Sequence, residues 1–223
     1  MTTSDEEHLS ISITGLQEWK FEDPKQIGRG LIIKTTRGDL RTIVHHDPNL
    51  PTTRGIIWVG GASGGFDGPA GLYKKMGEKL NPNITSLRVD YRMPNDLIEC
   101  VMDTLAGVSF LVGTGHQELI LVGHSFGGAV VIKSASFSEQ VKSVIALASQ
   151  TAGATEANLL TPRSLLLIHG DEDTVLTHQC SQTIFDWAKD PKKLVLINGA
   201  SHSFRETEEE LTETVEKWIH DVF

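Results

Sequence analysis

Apolar residues fall in short runs along this chain, and most runs are followed by a stretch where apolar positions recur every three or four residues. A short apolar run bounded by turn residues marks a strand, and the longer period marks an amphipathic helix. Residues 31–36 and 40–45 read as two strands joined by Thr36-Arg37-Gly38-Asp39, a hairpin turn. Gly55-Ile56-Ile57-Trp58-Val59 is almost wholly apolar, as a strand covered on both faces should be. Further strands are expected over 85–90, 119–122, 143–148, 164–168 and 194–197. Between them, Leu72, Tyr73, Met76 and Leu80 define one helix, and Leu97, Val101, Leu105, Val108 and Val112 a second, capped by Asn95. A third runs from Ser125 to about Ser136, and Cys180, Ile184 and Trp187 mark a fourth, capped by Thr177. Thr207 to Glu210 has the form of a capping box ahead of Leu211, Val215, Trp218, Ile219 and Val222.

After the first hairpin, strands alternate with helices. That order predicts an α/β architecture, a mostly parallel sheet of about eight strands with helices on both faces. Residues 1–10 read as frayed ends. From 11 to 27 the pattern is mixed, with Trp19 and Phe21 covering one edge of the core and the backbone state left open. No repeat or linker interrupts the chain, so residues 1–223 are expected to form one domain, which 223 residues suffice to build. Residues 151–162 are the only room for a lid, and it would be small.

One stretch joins the pattern to chemistry. Leu119-Ile120-Leu121-Val122 runs into Gly123-His124-Ser125-Phe126-Gly127, and helix-compatible residues follow. This is the layout of a nucleophile elbow, a tight strand-to-helix turn that lifts a serine hydroxyl above a sheet. Gly123 and Gly127 suit the close approach of strand and helix. The N–H of Phe126, at the start of the helix, is free to stabilise an oxyanion.

In open parallel sheets, ligands bind beyond the carboxyl ends of the strands. Ser125, the acids Asp171, Glu172 and Asp173, and His202 all lie just past such ends, as does the loop Gly60-Gly61-Ala62-Ser63-Gly64-Gly65. A serine hydroxyl needs a base to take its proton, an imidazole is suited to that, and a carboxylate must orient the imidazole. The expected catalytic set is therefore Ser125, His202 and Asp173. Asp173 is favoured among the acids as the one furthest along a loop that must reach back to His202, and Asp171 is expected to brace the turn. His124 and His169 are read as structural. The second oxyanion donor is expected at the N–H of Ala62, with Ser63 next. Phe66, Asp67, Arg92, Gln150 and Thr151, with Ser63, are candidates for the pocket wall, Arg92 as a possible partner for an acidic substrate group or as one half of an ion pair.

Composition narrows the partners. Twenty-nine acidic and 20 basic residues leave a net charge of −9, which disfavours nucleic acid and anionic membrane surfaces. The polar, acidic start has no signal-peptide pattern and no apolar run is long enough to span a bilayer, so a cytoplasmic protein is expected. Cys100 and Cys180 lack metal or redox spacing and are read as reduced structural thiols. His45-His46 would point to opposite faces of a strand and has no third ligand nearby, so no metal is expected.

With these residues in place, Gly123-His124-Ser125-Phe126-Gly127-Gly128, His169-Gly170-Asp171-Glu172-Asp173-Thr174-Val175 and Gly199-Ala200-Ser201-His202, in that order, resemble the α/β-hydrolases from about residue 28 onward. The resemblance implies a mainly parallel eight-stranded sheet, no cofactor, and Ser125, Asp173 and His202 as triad. The near-absence of a lid is similar to the dienelactone-hydrolase-like and small esterase or thioesterase branches. Dienelactone hydrolases proper carry a cysteine nucleophile where this chain has Ser125, and the family's usual His-Gly before the oxyanion residue is here Gly60-Gly61. What is implied is a serine hydrolase acting on a small acyl ester or thioester. Two alternatives stand against it. A non-catalytic binding or scaffold protein could share the fold. The glycine loop also resembles the nucleotide turn of short-chain dehydrogenases, but those need Tyr-x-x-x-Lys, and here Gly77 and Asn95 stand four residues after Tyr73 and Tyr91.

Overall fold

The computed structural model describes residues 10–21 and 26–223. Nine strands form one sheet: β1 (Ile13–Trp19), β2 (Arg29–Thr35), β3 (Gly38–His45), β4 (Arg54–Val59), β5 (Thr85–Asp90), β6 (Glu118–His124), β7 (Val141–Leu147), β8 (Ser164–Gly170) and β9 (Lys192–Ile197). Five α-helices alternate with them: α1 (Leu72–Leu80), α2 (Leu97–Gly113), α3 (Phe126–Ala135), α4 (Gln179–Trp187) and α5 (Glu208–Val222). The spatial order is β1-β2-β3-β5-β4-β6-β7-β8-β9. From β5 across to β9 every neighbouring pair is parallel, and β1, β2 and β3 attach antiparallel on the β5 side.

The alternation of a strand's side chains decides which helices lie where. In β4, Ile57 and Val59 pack into one core with α2, α3 and Ile184 of α4. Ile56 and Trp58 face the other way, into a second core with Tyr73 and Met76 of α1 and Leu211, Val215 and Ile219 of α5. Both faces of the parallel region are therefore covered. That explains the unbroken apolar runs there, because no side-chain position is left to meet water.

The sheet has one strand more than the eight expected. β1 escaped the pattern because it is an exposed edge strand with a register shift between Ile13 and Gly15. A bulge of this kind breaks the strict alternation that marks a strand; the apolar residues Ile13, Leu16 and Trp19 stand three apart instead. Trp19 and Phe21 pack edge-on against each other at the sheet edge; the Trp19 indole N–H donates to the Thr42 carbonyl at 3.2 Å and its ring stacks on Phe66. The frayed reading of residues 1–10 falls outside the described residues, save Ser10.

Three caps differ from expectation. Asn95 adopts a left-handed φ of 70°, which asparagine tolerates, and so makes the turn; Asp96 is the cap, accepting the Glu99 N–H at 3.0 Å. The residue before α4 is His178, and Thr177 contributes only its carbonyl, to the N–H of Cys180. Thr207 makes no side-chain cap, because the chain enters α5 through a 3-10 turn over Arg205–Thr207 that buries its hydroxyl without a partner. Cys100 is buried in α2, where burial pushes its thiol up to about 12, and Cys180 is partly buried in α4. Among the described residues no helix is long and apolar enough to cross a membrane.

Candidate active site

β6 ends at His124 and α3 begins at Phe126, leaving Ser125 alone to turn the chain. Its φ of 58° lies in the left-handed region, a conformation that costs a non-glycine residue about 1–3 kcal/mol and persists only where the surroundings enforce it. Here they do. The Ser125 N–H donates to the Leu147 carbonyl at 2.8 Å. A Cβ on Gly123 would overlap the Gly127 carbonyl, and one on Gly127 would overlap the Gly60 carbonyl. The second contact shows that Gly127 lets α3 approach the glycine loop after β4 as well as its own strand.

His202 follows β9. Its Nε2 lies 3.0 Å from Ser125 Oγ and its Nδ1 2.6 Å from Asp173 Oδ2. The three side chains, 77 and 29 residues apart in sequence, form one continuous hydrogen-bonded chain. Asp173 has no exposed side-chain surface. Burial by itself raises its carboxyl, but the bonds from His202 and from the backbone N–H groups of Leu176 and Val175 outweigh it and hold the group below the usual carboxylate range. An ionised Asp173 accepts, so His202 Nδ1 carries the proton and Nε2 presents a lone pair to the serine hydroxyl. The arrangement can pass a proton from Oγ to Nε2.

The other acids separate by contact. Asp171 Oδ1 accepts the Gly199 N–H at 2.7 Å and so ties the β8 loop to the loop carrying His202. Glu172 is exposed. The two neighbouring histidines are neutral supports. Burial lowers the imidazole of His124 to about 4, and its Nε2 bonds the His202 carbonyl at 2.9 Å, so Nε2 carries the proton. Burial also lowers His169, which bridges Ser181 Oγ and the Leu176 carbonyl with its Nε2 3.2 Å from Asp173.

The glycine loop closes over the serine. Gly61 and Gly64 pair as an isolated bridge, leaving Ala62 and Ser63 at the tip, and the Gly65 N–H donates to Asp90 at 2.8 Å. A Cβ built on Gly61 would stand 3.5 Å from Ser125 Cβ. The loop thus borders Ser125 and packs against the start of α3 at Gly127, where the Phe126 N–H has no intrahelical acceptor.

A cleft of about 600 Å³ opens here, lined by Ser125, His202, Ala62 and Ser63 among others. Phe66, Arg92, Gln150 and Thr151 do not line it. Phe66 stacks on Trp19 instead. Arg92 is 7% exposed, gripped by Asp103 and by Glu99 at 2.9 Å, with a further bond to the Arg37 carbonyl at 2.5 Å. Gln150 bonds the Ala152 carbonyl at 2.8 Å. Asp67 pairs with the buried Arg88. Residues 151–162 pack down rather than over the cleft: Ala154, Ala157 and Leu160 are buried and Glu156 pairs with Lys133. The cleft also holds Thr174, Val175 and Arg205, which sequence reasoning did not single out. Their nearness to Asp173 and His202 in the chain was the one signal for them. His45 is buried in β3, and His46 bonds Thr85 Oγ1 at 3.1 Å.

A family model described as "Alpha/beta hydrolase family" matches residues 88–206. The "Uncharacterized protein YfhR" of Escherichia coli (strain K12) is 32% identical over a match covering 39% of this chain and 38% of that protein. The match thus spans about two fifths of that curated relative's length. Among solved structures, Est1E from Butyrivibrio proteoclasticus superposes with a TM-score of 0.75 at 18% identity, covering 86% of this chain and 98% of its own. A dienelactone hydrolase from Anabaena variabilis ATCC 29413 gives 0.74 at 16% identity, covering 93% and 99%. XC6422 from Xanthomonas campestris, described as an a/b serine hydrolase without lid, gives 0.68 at 18% identity, covering 91% and 97%. These three likenesses concern the fold.

Proposed function

Because the chain belongs to the alpha/beta hydrolase family, we propose that it cleaves a carboxylic ester or thioester of a small acyl compound through an acyl-enzyme on Ser125. The observation that carries this reading is the unbroken chain from Ser125 Oγ through His202 to Asp173, at 3.0 and 2.6 Å. Ser125 attacks the acyl carbonyl while His202 Nε2 takes its proton. The N–H groups of Phe126 and Ala62 hold the oxyanion of the tetrahedral intermediate. His202 returns the proton to the leaving alcohol or thiol, and the carbonyl re-forms as that bond breaks. Water, deprotonated by the same imidazole, then attacks the acyl-enzyme and frees the acid. Asp173 stays ionised and keeps the ring in the tautomer the first step needs.

A fluorophosphonate probe with peptide mapping tests this directly. It should label Ser125 in folded protein, and His202→Ala should slow the labelling by orders of magnitude, since the hydroxyl then has no base. A folded protein that is not labelled would return the non-catalytic reading. A labelling rate that His202→Ala leaves unchanged would remove His202 from its role.

A further inference from the structure

Four of the six residues in the loop Gly60-Gly61-Ala62-Ser63-Gly64-Gly65 are glycines, and Gly64 and Gly65 take left-handed φ values of 70° and 91°. A backbone this free does not hold an N–H in place by itself. Yet an oxyanion donor acts only when it stands about 2.7–3.1 Å from the developing charge. The rate therefore depends on what fixes the loop. On one side it is α3, pressed so close that a Cβ on Gly127 would overlap the Gly60 carbonyl. Within the loop, the Gly64 N–H donates to the Gly61 carbonyl at 3.0 Å and closes the turn that carries Ala62 and Ser63.

The far end of the loop meets Asp90, the last residue of β5. Its Oδ1 accepts the Gly65 N–H at 2.8 Å, and a Cβ on Gly64 would stand 2.9 Å from the same oxygen. The carboxylate is thus packed against both glycines. Its Oδ2 pairs with Arg41 of β3, which fixes the orientation of the group. The side chain is 13% exposed, so water competes little for the bond. A hydrogen bond to a carboxylate is about twice as strong as one between neutral groups. Asp90 itself does not line the cleft, so any effect on the reaction passes through the loop.

We propose that Asp90 is a positioning residue for the hydrolysis: through Gly65 it holds the turn where the Ala62 N–H meets the oxyanion. This rests on the hydrolytic reading above. The bond acts here and not the charge, since a negative group behind the loop would by itself oppose a second negative charge on the substrate. Three variants separate the two. Asp90→Asn keeps an oxygen acceptor for Gly65 and drops the charge. Asp90→Glu keeps the charge and moves the carboxylate off Gly65. Asp90→Ala loses both.

Two measurements separate this inference from the reading beneath it. The first is kinetics on p-nitrophenyl acetate. Asp90→Ala should lower kcat about 100-fold, the effect of losing one oxyanion donor, and leave KM within about threefold of native. Asp90→Asn should bring kcat back to within about fivefold of native, and Asp90→Glu should stay close to the alanine variant. A merely structural role would lower the melting temperature and leave kcat of the folded fraction unchanged. A loss in kcat under about tenfold for Asp90→Ala overturns the proposal, and so does a glutamate variant faster than the asparagine one. Should Asp90→Ala fail to fold, the comparison of Asn with Glu decides alone. The second measurement needs no turnover: amide hydrogen exchange read by NMR. The Gly65 N–H should exchange about tenfold faster in Asp90→Ala, with the amides of β6 and α3 unchanged. Equal exchange at Gly65 overturns the proposal even if no ester is hydrolysed. Faster exchange in a protein whose native form hydrolyses no ester would support the anchoring of the loop and count against the hydrolytic reading alone.

Discussion

The two sides of the sheet are built from the same kinds of residue and do different work. In the parallel region, β4, β6, β8 and β9 all point their carboxyl ends at one edge, and Ser125, Asp173, His202 and the glycine loop meet there. In the antiparallel region, β1, β2 and β3 alternate in direction, and none of their described residues lines the cleft. Parallel strands need a crossover for each return, which sends every second loop to the same rim. The lesson is that strand direction alone separates chemistry from covering. It follows that damage to the parallel rim should cost rate, and damage to the antiparallel side should cost stability.

The sharpest break in that comparison is Ser125→Ala, which should lower kcat on p-nitrophenyl esters by roughly five to six orders of magnitude. The circular dichroism spectrum should not change; a variant that keeps most of its activity would dissolve the distinction. Next in size, Asp173→Asn should cost about four orders of magnitude in kcat, because an amide can hold His202 in the wrong tautomer. A loss of only a few-fold would mean that Asp173 does not orient the base.

On the other side, His45 of β3 is buried, and burial first, then the nearby Arg88, lowers its imidazole to about 4. Below pH ~6.5 the unfolded chain takes up a proton there that the folded chain refuses until about 4. Its contribution is thus fully present above pH ~6.5 and lost as the pH falls to about 4, on the order of 2–3 kcal/mol. Urea midpoints from pH 7 to 4.5 should show the decline, and His45→Phe should flatten it; equal slopes in the two proteins would rule His45 out as its source. The smallest effect is expected from Gly30→Ala. The added Cβ would overlap the Trp19 carbonyl and push β1 off the edge, costing about 1–3 kcal/mol. Ester hydrolysis at 25 °C should stay within twofold, and a loss comparable to that of Asp173→Asn would tie the edge to the site.

Much of this was legible in the chain. Eight of the nine strands and all five helices announce themselves, because a strand buried on both faces must be apolar throughout and a helix on a sheet must be apolar along one side. Gly123, Ser125 and Gly127 could be read together because the elbow is a local device whose requirements fall within five residues. β1 was not legible, since its bulge and exposure remove the alternation. The cleft wall was hardest. Arg92 and Arg205 both stand in loops after strand ends, and nothing in their neighbours says that one is held by Asp103 and Glu99 while the other lines the cleft.

What the sequence alone determined is the order of strands and helices and the identity of the serine, since hydrophobic period and backbone crowding act over a few residues. Tertiary structure decided which arginine faces the cleft and where the edge strand attaches. It also showed how an acid, an imidazole and a hydroxyl from three separate loops come within bonding distance. Charges and hydrogen bonds are settled by whichever partner arrives, and in this fold the partners arrive from as far as 137 residues away, as Lys79 and Glu216 do.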